Sequence, residues 1–110
     1  MVIVDVGCGT GILSIYCALA GARKVYAIEA SEMALLAERI VEDNRLSEVI
    51  TVLQGKVEDV TIEEKADVII SEWMGDMLFR ENMLSTIISA RDRWLTVGGL
   101  ILPTVAKVKR

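Results

Sequence analysis

Apolar residues in this chain occur in two alternating patterns, short unbroken runs and runs with helical spacing. The unbroken runs are Val2-Ile-Val-Asp-Val6, Lys24-Val-Tyr-Ala-Ile-Glu29, residues 49–54, Ala66-Asp-Val-Ile-Ile-Ser71 and Leu100-Ile-Leu102. Each predicts a strand buried on both faces, as in the middle of a parallel sheet. Helical spacing predicts a first helix over about 12–20, ended by Gly21 as a C-terminal cap. A second helix over 31–44 has Ser31 as N-cap and Met33, Leu36, Ala37 and Ile40 on its apolar face. A third, over 82–95, carries Leu84, Ile87, Ile88, Arg91 and Trp94. Val97-Gly-Gly99 stops it, and Pro103 ends the fifth strand. Residues 55–59 read as a polar turn and 61–65 as a charged connection. Strands alternating with helices predict βαβ units, a parallel sheet and right-handed crossovers. Ligands in such sheets bind outside the carboxyl ends of the strands. A domain rarely opens on its central strand, so the expectation is that natural chain precedes Met1.

Composition narrows this picture. The chain has 110 residues, 53% apolar and 25% charged, which suits a globular core and not a disordered segment. A chain of this size buries roughly 65% of its extended surface, enough for one core. The net charge of −4, with pI near 4.8, argues against a phosphate-backbone binder and favours basic partners. With no histidine, Cys8 and Cys17 nine apart and no CxxC, a metal site is not expected, and neither is a histidine-assisted nucleophile. Reduced cysteines suggest an intracellular setting. No apolar stretch reaches a membrane span, and no signal segment leads the chain.

Four segments with chemical potential fall at predicted strand carboxyl ends: 7–11, Glu29, 57–59 and 72–81. Asp5-Val-Gly-Cys-Gly-Thr-Gly11 runs from a strand into a helix, and its glycines allow positive φ and close backbone approach to a ligand. Its spacing is neither the G-x-G-x-x-G of dinucleotide folds nor a Walker loop, since no lysine follows. The shorter loop with Asp5 suits S-adenosylmethionine, which has no phosphate. Glu29 ends the next strand and can accept both hydroxyls of a ribose. Glu58 can accept from an adenine amino group while the Val57 backbone pairs with the ring; the competing view is an ordinary acidic turn with Asp59.

In Ser71-Glu-Trp-Met-Gly-Asp-Met-Leu-Phe-Arg-Glu81, two glutamates nine positions apart flank large apolar residues. Carboxylates held near apolar groups are costly unless a cation meets them. The cation expected here is the substrate.

Taken together, Asp5 to Gly11, Val25-Tyr-Ala-Ile-Glu-Ala-Ser31, Gly55-Lys-Val-Glu58, Ser71-Glu-Trp-Met-Gly75 and Glu81-Asn-Met-Leu84 resemble the protein arginine N-methyltransferases over nearly the whole chain. The paired glutamates around Trp-Met-Gly match that family's double-E loop. The resemblance implies a truncated core of the Rossmann-like, doubly wound, mostly parallel α/β sheet of class I S-adenosylmethionine-dependent methyltransferases, filling residues 1–110. It implies that S-adenosylmethionine lies against Asp5, Gly7, Cys8, Gly9 and Gly11, with Glu29 and Ala30 at the ribose and Val57 and Glu58 at the adenine. Glu72 and Glu81 become the catalytic pair gripping a substrate guanidinium. Met83 matches a methionine of the substrate pocket in the asymmetric-dimethylating class; Trp73 packs at that pocket and Trp94 in the core. Asp76 departs from the tyrosine of many members and adds a third carboxylate, with Arg80 close enough in sequence to pair with it or with Glu81. The family's helices before the first strand, and its C-terminal β-barrel with a histidine and a dimerisation arm, are absent from these residues. The resemblance thus implies the core of a longer homodimeric enzyme acting on arginine-rich proteins, cytoplasmic or nuclear, and inactive as this piece alone. Other readings are a methyltransferase for another substrate, a non-catalytic module that kept the fold, and a dinucleotide dehydrogenase domain.

Overall fold

The computed structural model describes residues 1–73 and 77–105, with side chains placed for 1–71 and 84–102. Five strands, β1 (Val2–Val6), β2 (Lys24–Glu29), β3 (Ile50–Gln54), β4 (Ala66–Trp73) and β5 (Leu95–Val105), form one sheet in the order β3-β2-β1-β4-β5. Every pairing is parallel. Helices α1 (Ile12–Leu19), α2 (Met33–Asp43) and α3 (Met77–Trp94) connect them.

β1 explains the layering. All five of its residues are buried, and the strand period of two sends Val2, Val4 and Val6 to one face and Ile3 and Asp5 to the other. The valine face packs with Ile69, with Val57, Val60 and Ile62 of the 55–65 connection, and with Ala90 and Trp94 of α3. Ile3, Val25 and Ile70 on the opposite face meet Val41 of α2 and Leu13 and Ile15 of α1. Since α1 leads out toward β2 and α3 toward β5 on opposite faces, the chain reverses direction between β1 and β4. A crevice opens at the carboxyl ends of those two strands.

Several expected details differ, among them the end of β5, which runs on past Pro103 to Val105. The buried face of α2 is Ala34, Ala37 and Val41, while Met33 and Leu36 are exposed. Alanine's small side chain lets the helix approach the sheet closely, and the larger residues turn outward. Helix α3 begins at Met77, earlier than expected, which takes Glu81 out of the loop. Gly98 and Gly99, read as a stop, lie within β5, where the register jumps from Ala66↔Leu95 to Val68↔Leu100. A Cβ on Gly99 would lie 2.6 Å from Leu95 Cδ1 and 3.0 Å from the Asp67 carbonyl, so glycine is needed for this approach.

Candidate cofactor and active site

The glycine loop is fixed by its own backbone. After β1, the N–H groups of Gly7 and Cys8 both donate to the Ile28 carbonyl, at 2.8 and 3.0 Å, tying the loop to the end of β2. Gly9 and Gly11 have φ of 57° and 86°, left-handed values that favour glycine. A Cβ on Gly9 would meet nothing within 4 Å, whereas one on Gly11 would lie 3.5 Å from Ala37 of α2. Gly9 thus fronts open space, and Gly11 is the contact that seats α1 against α2.

Asp5 acts beneath this loop. It is 1% exposed, and its carboxylate accepts a 2.7 Å hydrogen bond from the hydroxyl of Ser14, which is fully buried on α1. It therefore joins β1 to α1 behind the turn.

Glu29, at the end of β2, faces the loop from the other side. One carboxylate oxygen accepts from the Gly9 N–H at 2.8 Å. The other accepts from the Ser31 N–H and hydroxyl, at 3.0 and 2.7 Å. Ser31 also accepts from the Met33 N–H at 3.1 Å, but the N-cap position falls to Glu32, one residue later than the sequence suggested, and carries no side-chain cap. Partial burial pushes the Glu29 pKa up, but the Ser31 hydroxyl, the Gly9 N–H and the Ser31 N–H outweigh it and hold the group below its ordinary value. It is an anion with acceptor capacity left over, since two oxygens offer about four lone-pair directions. Cys8 next to it is no nucleophile: burial, then Asp5 and Glu29, push its thiol up to about 12.

Opposite stands the turn after β3. The Gly55 N–H donates to the Glu29 carbonyl at 3.0 Å, and the N–H groups of Asp59 and Val60 both donate to the Lys56 carbonyl. Between these parts lies an open cleft of about 1060 Å³, at the upper end of the roughly 300–1,000 Å³ common for ligand sites. Its lining includes Gly7, Cys8, Gly9, Glu29, Ala30, Val57 and Glu58, all singled out in the sequence; Asp5 and Gly11 are not part of it. Gly55, Lys56, Ile12 and Leu13 also contribute.

One wall was missed altogether. Ser85, Thr86 and Ser89 of α3 close the cleft with hydroxyl-bearing side chains. Their spacing of i, i+1 and i+4 is a helical row, legible once the apolar row of the same helix is set aside.

Of the substrate-side residues, Glu72 stands in β4 and Glu81 and Met83 in α3. The side chains of Glu72, Trp73, Glu81 and Met83, and all of 74–76, lie outside the described residues. The backbone does fix one relation. Ser71 of β4 is in register with Val6 of β1, so Gly7 leaves the sheet where β4 runs on into Glu72, which pairs there with Thr104 of β5.

Sheet order and cleft together define the class, the S-adenosylmethionine-dependent methyltransferases with a doubly wound core. The family model of ribosomal protein L11 methyltransferase (PrmA) matches residues 1–110. The relatives point to a narrower group. A probable protein arginine N-methyltransferase 6.2 of Oryza sativa subsp. indica is 62% identical over 97% of this chain and 27% of its own length. Protein arginine methyltransferase 10 of Arabidopsis thaliana, whose crystal structure shows an open conformation, matches with a TM-score of 0.85 and 54% identity, covering 91% of this chain and 29% of its own. The Trypanosoma brucei PRMT1 enzyme–prozyme heterotetrameric complex with AdoHcy gives a TM-score of 0.85 at 51% identity, over 92% and 32% respectively. This chain belongs to the protein arginine N-methyltransferase family, and it spans about a quarter of the length of such curated relatives.

Proposed function

We propose that this chain is the cofactor-binding core of an enzyme that transfers a methyl group from S-adenosylmethionine to a guanidino nitrogen of arginine in a protein. The observation that carries this reading is the register of β1 and β4, in which Gly7 leaves β1 next to the point where β4 continues into Glu72. It puts the backbone of the first glutamate of the double-E motif beside the loop that borders the cleft.

The cleft residues suit the cofactor. Glu29 is anionic and, with three of about four acceptor directions already used, has one left for a ribose hydroxyl. Val57 and Glu58 sit beside each other on the lining, where a base can reach a backbone group and a carboxylate together. The loop offers no lysine to a phosphate, and S-adenosylmethionine presents none. When bound, it supplies an electrophilic methyl on a sulfonium.

The substrate side follows from charge. A guanidinium has a pKa near ~13.8 and delocalised lone pairs, so it arrives as a cation and a weak nucleophile. Glu72 and Glu81 grip its planar fork and draw the positive charge toward themselves. One terminal nitrogen is then left to point at the methyl. That nitrogen's lone pair forms the new N–C bond as the S–C bond breaks, and the nitrogen gives up a proton to one of the carboxylates. Glu81 lies four residues before Ser85 and eight before Ser89 on α3, in the helical row that reaches the cleft. In the whole protein we place helices before β1 and a C-terminal barrel around this core, with two copies forming a dimer.

The full-length chain is the material for the test, with an arginine-rich peptide as methyl acceptor. Glu72→Gln and Glu81→Gln each lower kcat by about 100-fold or more, while S-adenosylhomocysteine binding, read by calorimetry, stays within about threefold. Undiminished turnover in both variants refutes the carboxylate grip. Equal binding of NAD and S-adenosylhomocysteine refutes the cofactor assignment.

A further inference from the structure

Arg93 ends α3 with its side chain reaching away from the helix to a segment more than thirty residues earlier. One guanidinium nitrogen donates to the Val57 carbonyl and another to the Val60 carbonyl at 3.0 Å. Its fork lies 5.1 Å from the ring centroid of Trp94, which is 3% exposed and packs in the same core cluster as Val57 and Val60. Stacking of this kind holds a guanidinium plane in place. One residue thus joins the helix that carries Ser85 and Ser89 to the turn that carries Val57 and Glu58, both on the side of the cleft away from the glycine loop.

We infer that Arg93 is a positioning residue for the base of the bound nucleoside. It turns the Val57 carbonyl out of the cleft, leaving the Val57 N–H as a donor beside the Glu58 carboxylate, an acceptor. That order is complementary to an edge with a ring-nitrogen acceptor next to an amino donor, as in adenine. A 6-oxo purine presents the reverse, an N–H next to a carbonyl, and is rejected by the same two groups. Without the clamp the turn is free to present the carbonyl of Val57 in place of its N–H, and the discrimination weakens. This inference rests on the cleft being the nucleoside site of the proposed function.

A cycle of variant against ligand in the full-length chain tests it, with S-adenosylhomocysteine and S-inosylhomocysteine as the two ligands. Arg93→Ala weakens binding of the adenosyl ligand about tenfold and shrinks the adenosyl-over-inosyl preference about fivefold, with kcat at saturating S-adenosylmethionine within about twofold. Arg93→Lys, which keeps one donor, recovers part of both losses. It also carries the test if the alanine variant does not fold. A preference unchanged from the parent in these variants, with or without weaker binding, overturns the inference and leaves Arg93 a structural contact. Failure of the unsubstituted chain to bind either ligand removes the functional reading itself, and this inference with it.

Discussion

The two walls of the cleft are held in different ways. On the glycine-loop side the contacts are closer in sequence and one of them is buried: Asp5 meets Ser14 nine residues on in the buried space between β1 and α1, and Glu29, at the exposed edge, joins Gly9 to Ser31. On the α3 side one exposed arginine spans 36 and 33 residues of sequence to hold a turn by its carbonyls. Buried hydrogen bonds in a low-dielectric core are costly to break, whereas a surface clamp contributes little to global stability but can set a local geometry. The first wall is therefore coupled to folding, and the second to recognition.

The sharpest test of that contrast is Ser14→Ala. It deprives a carboxylate at 1% exposure of one hydrogen-bond donor. We expect a loss of about 2 kcal/mol in the full-length chain, measured by denaturant unfolding, with the adenosyl-over-inosyl preference intact. Arg93→Ala gives the opposite pair of results. Similar stability losses in both variants would abolish the distinction between the walls.

Glu29 tests the glycine-loop wall with a smaller effect. In Glu29→Gln the amide nitrogen donates where a carboxylate oxygen accepted, so either the Gly9 contact or the Ser31 contacts are lost. S-adenosylhomocysteine binding is expected to weaken about tenfold. The pH dependence follows from the sign of the shift. Glu29 is held below its ordinary value of 4.5, so its stabilising effect is fully present above that value and disappears as pH falls through the depressed one. The stability difference between parent and Glu29→Gln should be flat from neutral pH to about 5.5 and then narrow on acidification. A difference that widens in acid would mean that the carboxylate is not held by these donors.

The strands were legible because burial on both faces leaves nothing polar to interrupt the run, and β1 and β2 fall where the apolar runs put them. The glycine loop was legible for a similar reason, since positive φ at alternate positions leaves a residue signature. Helix faces were harder to read. Residue hydrophobicity favours Met33 and Leu36 over Ala34, yet the buried rows are 34/37/41 in α2 and 87/90/94 in α3, the same i, i+3, i+7 pattern with alanine where the helix lies closest to the sheet. Leu84 and Ile88, apolar by type, are exposed. Gly98 and Gly99 misled because a glycine pair signals a stop on its own and a close approach only when the neighbouring strand is known. The hydroxyl row of α3 has a helical spacing, but which segment it faces, and the Arg93 clamp altogether, depend on distant parts of the chain that no local pattern encodes.

The smallest expected effect concerns Cys8, which lines the cleft together with Glu29. Its thiol is pushed up to about 12, chiefly by burial and then by Asp5 and Glu29. At pH 8 only about one Cys8 in ten thousand is thiolate, the form that an alkylating reagent attacks. Glu29→Gln removes one of the two negative charges that oppose ionisation, while burial and Asp5 remain. The thiolate fraction should therefore rise only modestly, and iodoacetamide labelling at pH 8, followed by mass spectrometry, should quicken about threefold. A rise to the rate of a free cysteine would show that Glu29 seals the loop against solvent as well as charging it. No change would mean that the Glu29 charge is not felt at Cys8, and that burial and Asp5 alone keep this thiol protonated at the floor of the cleft.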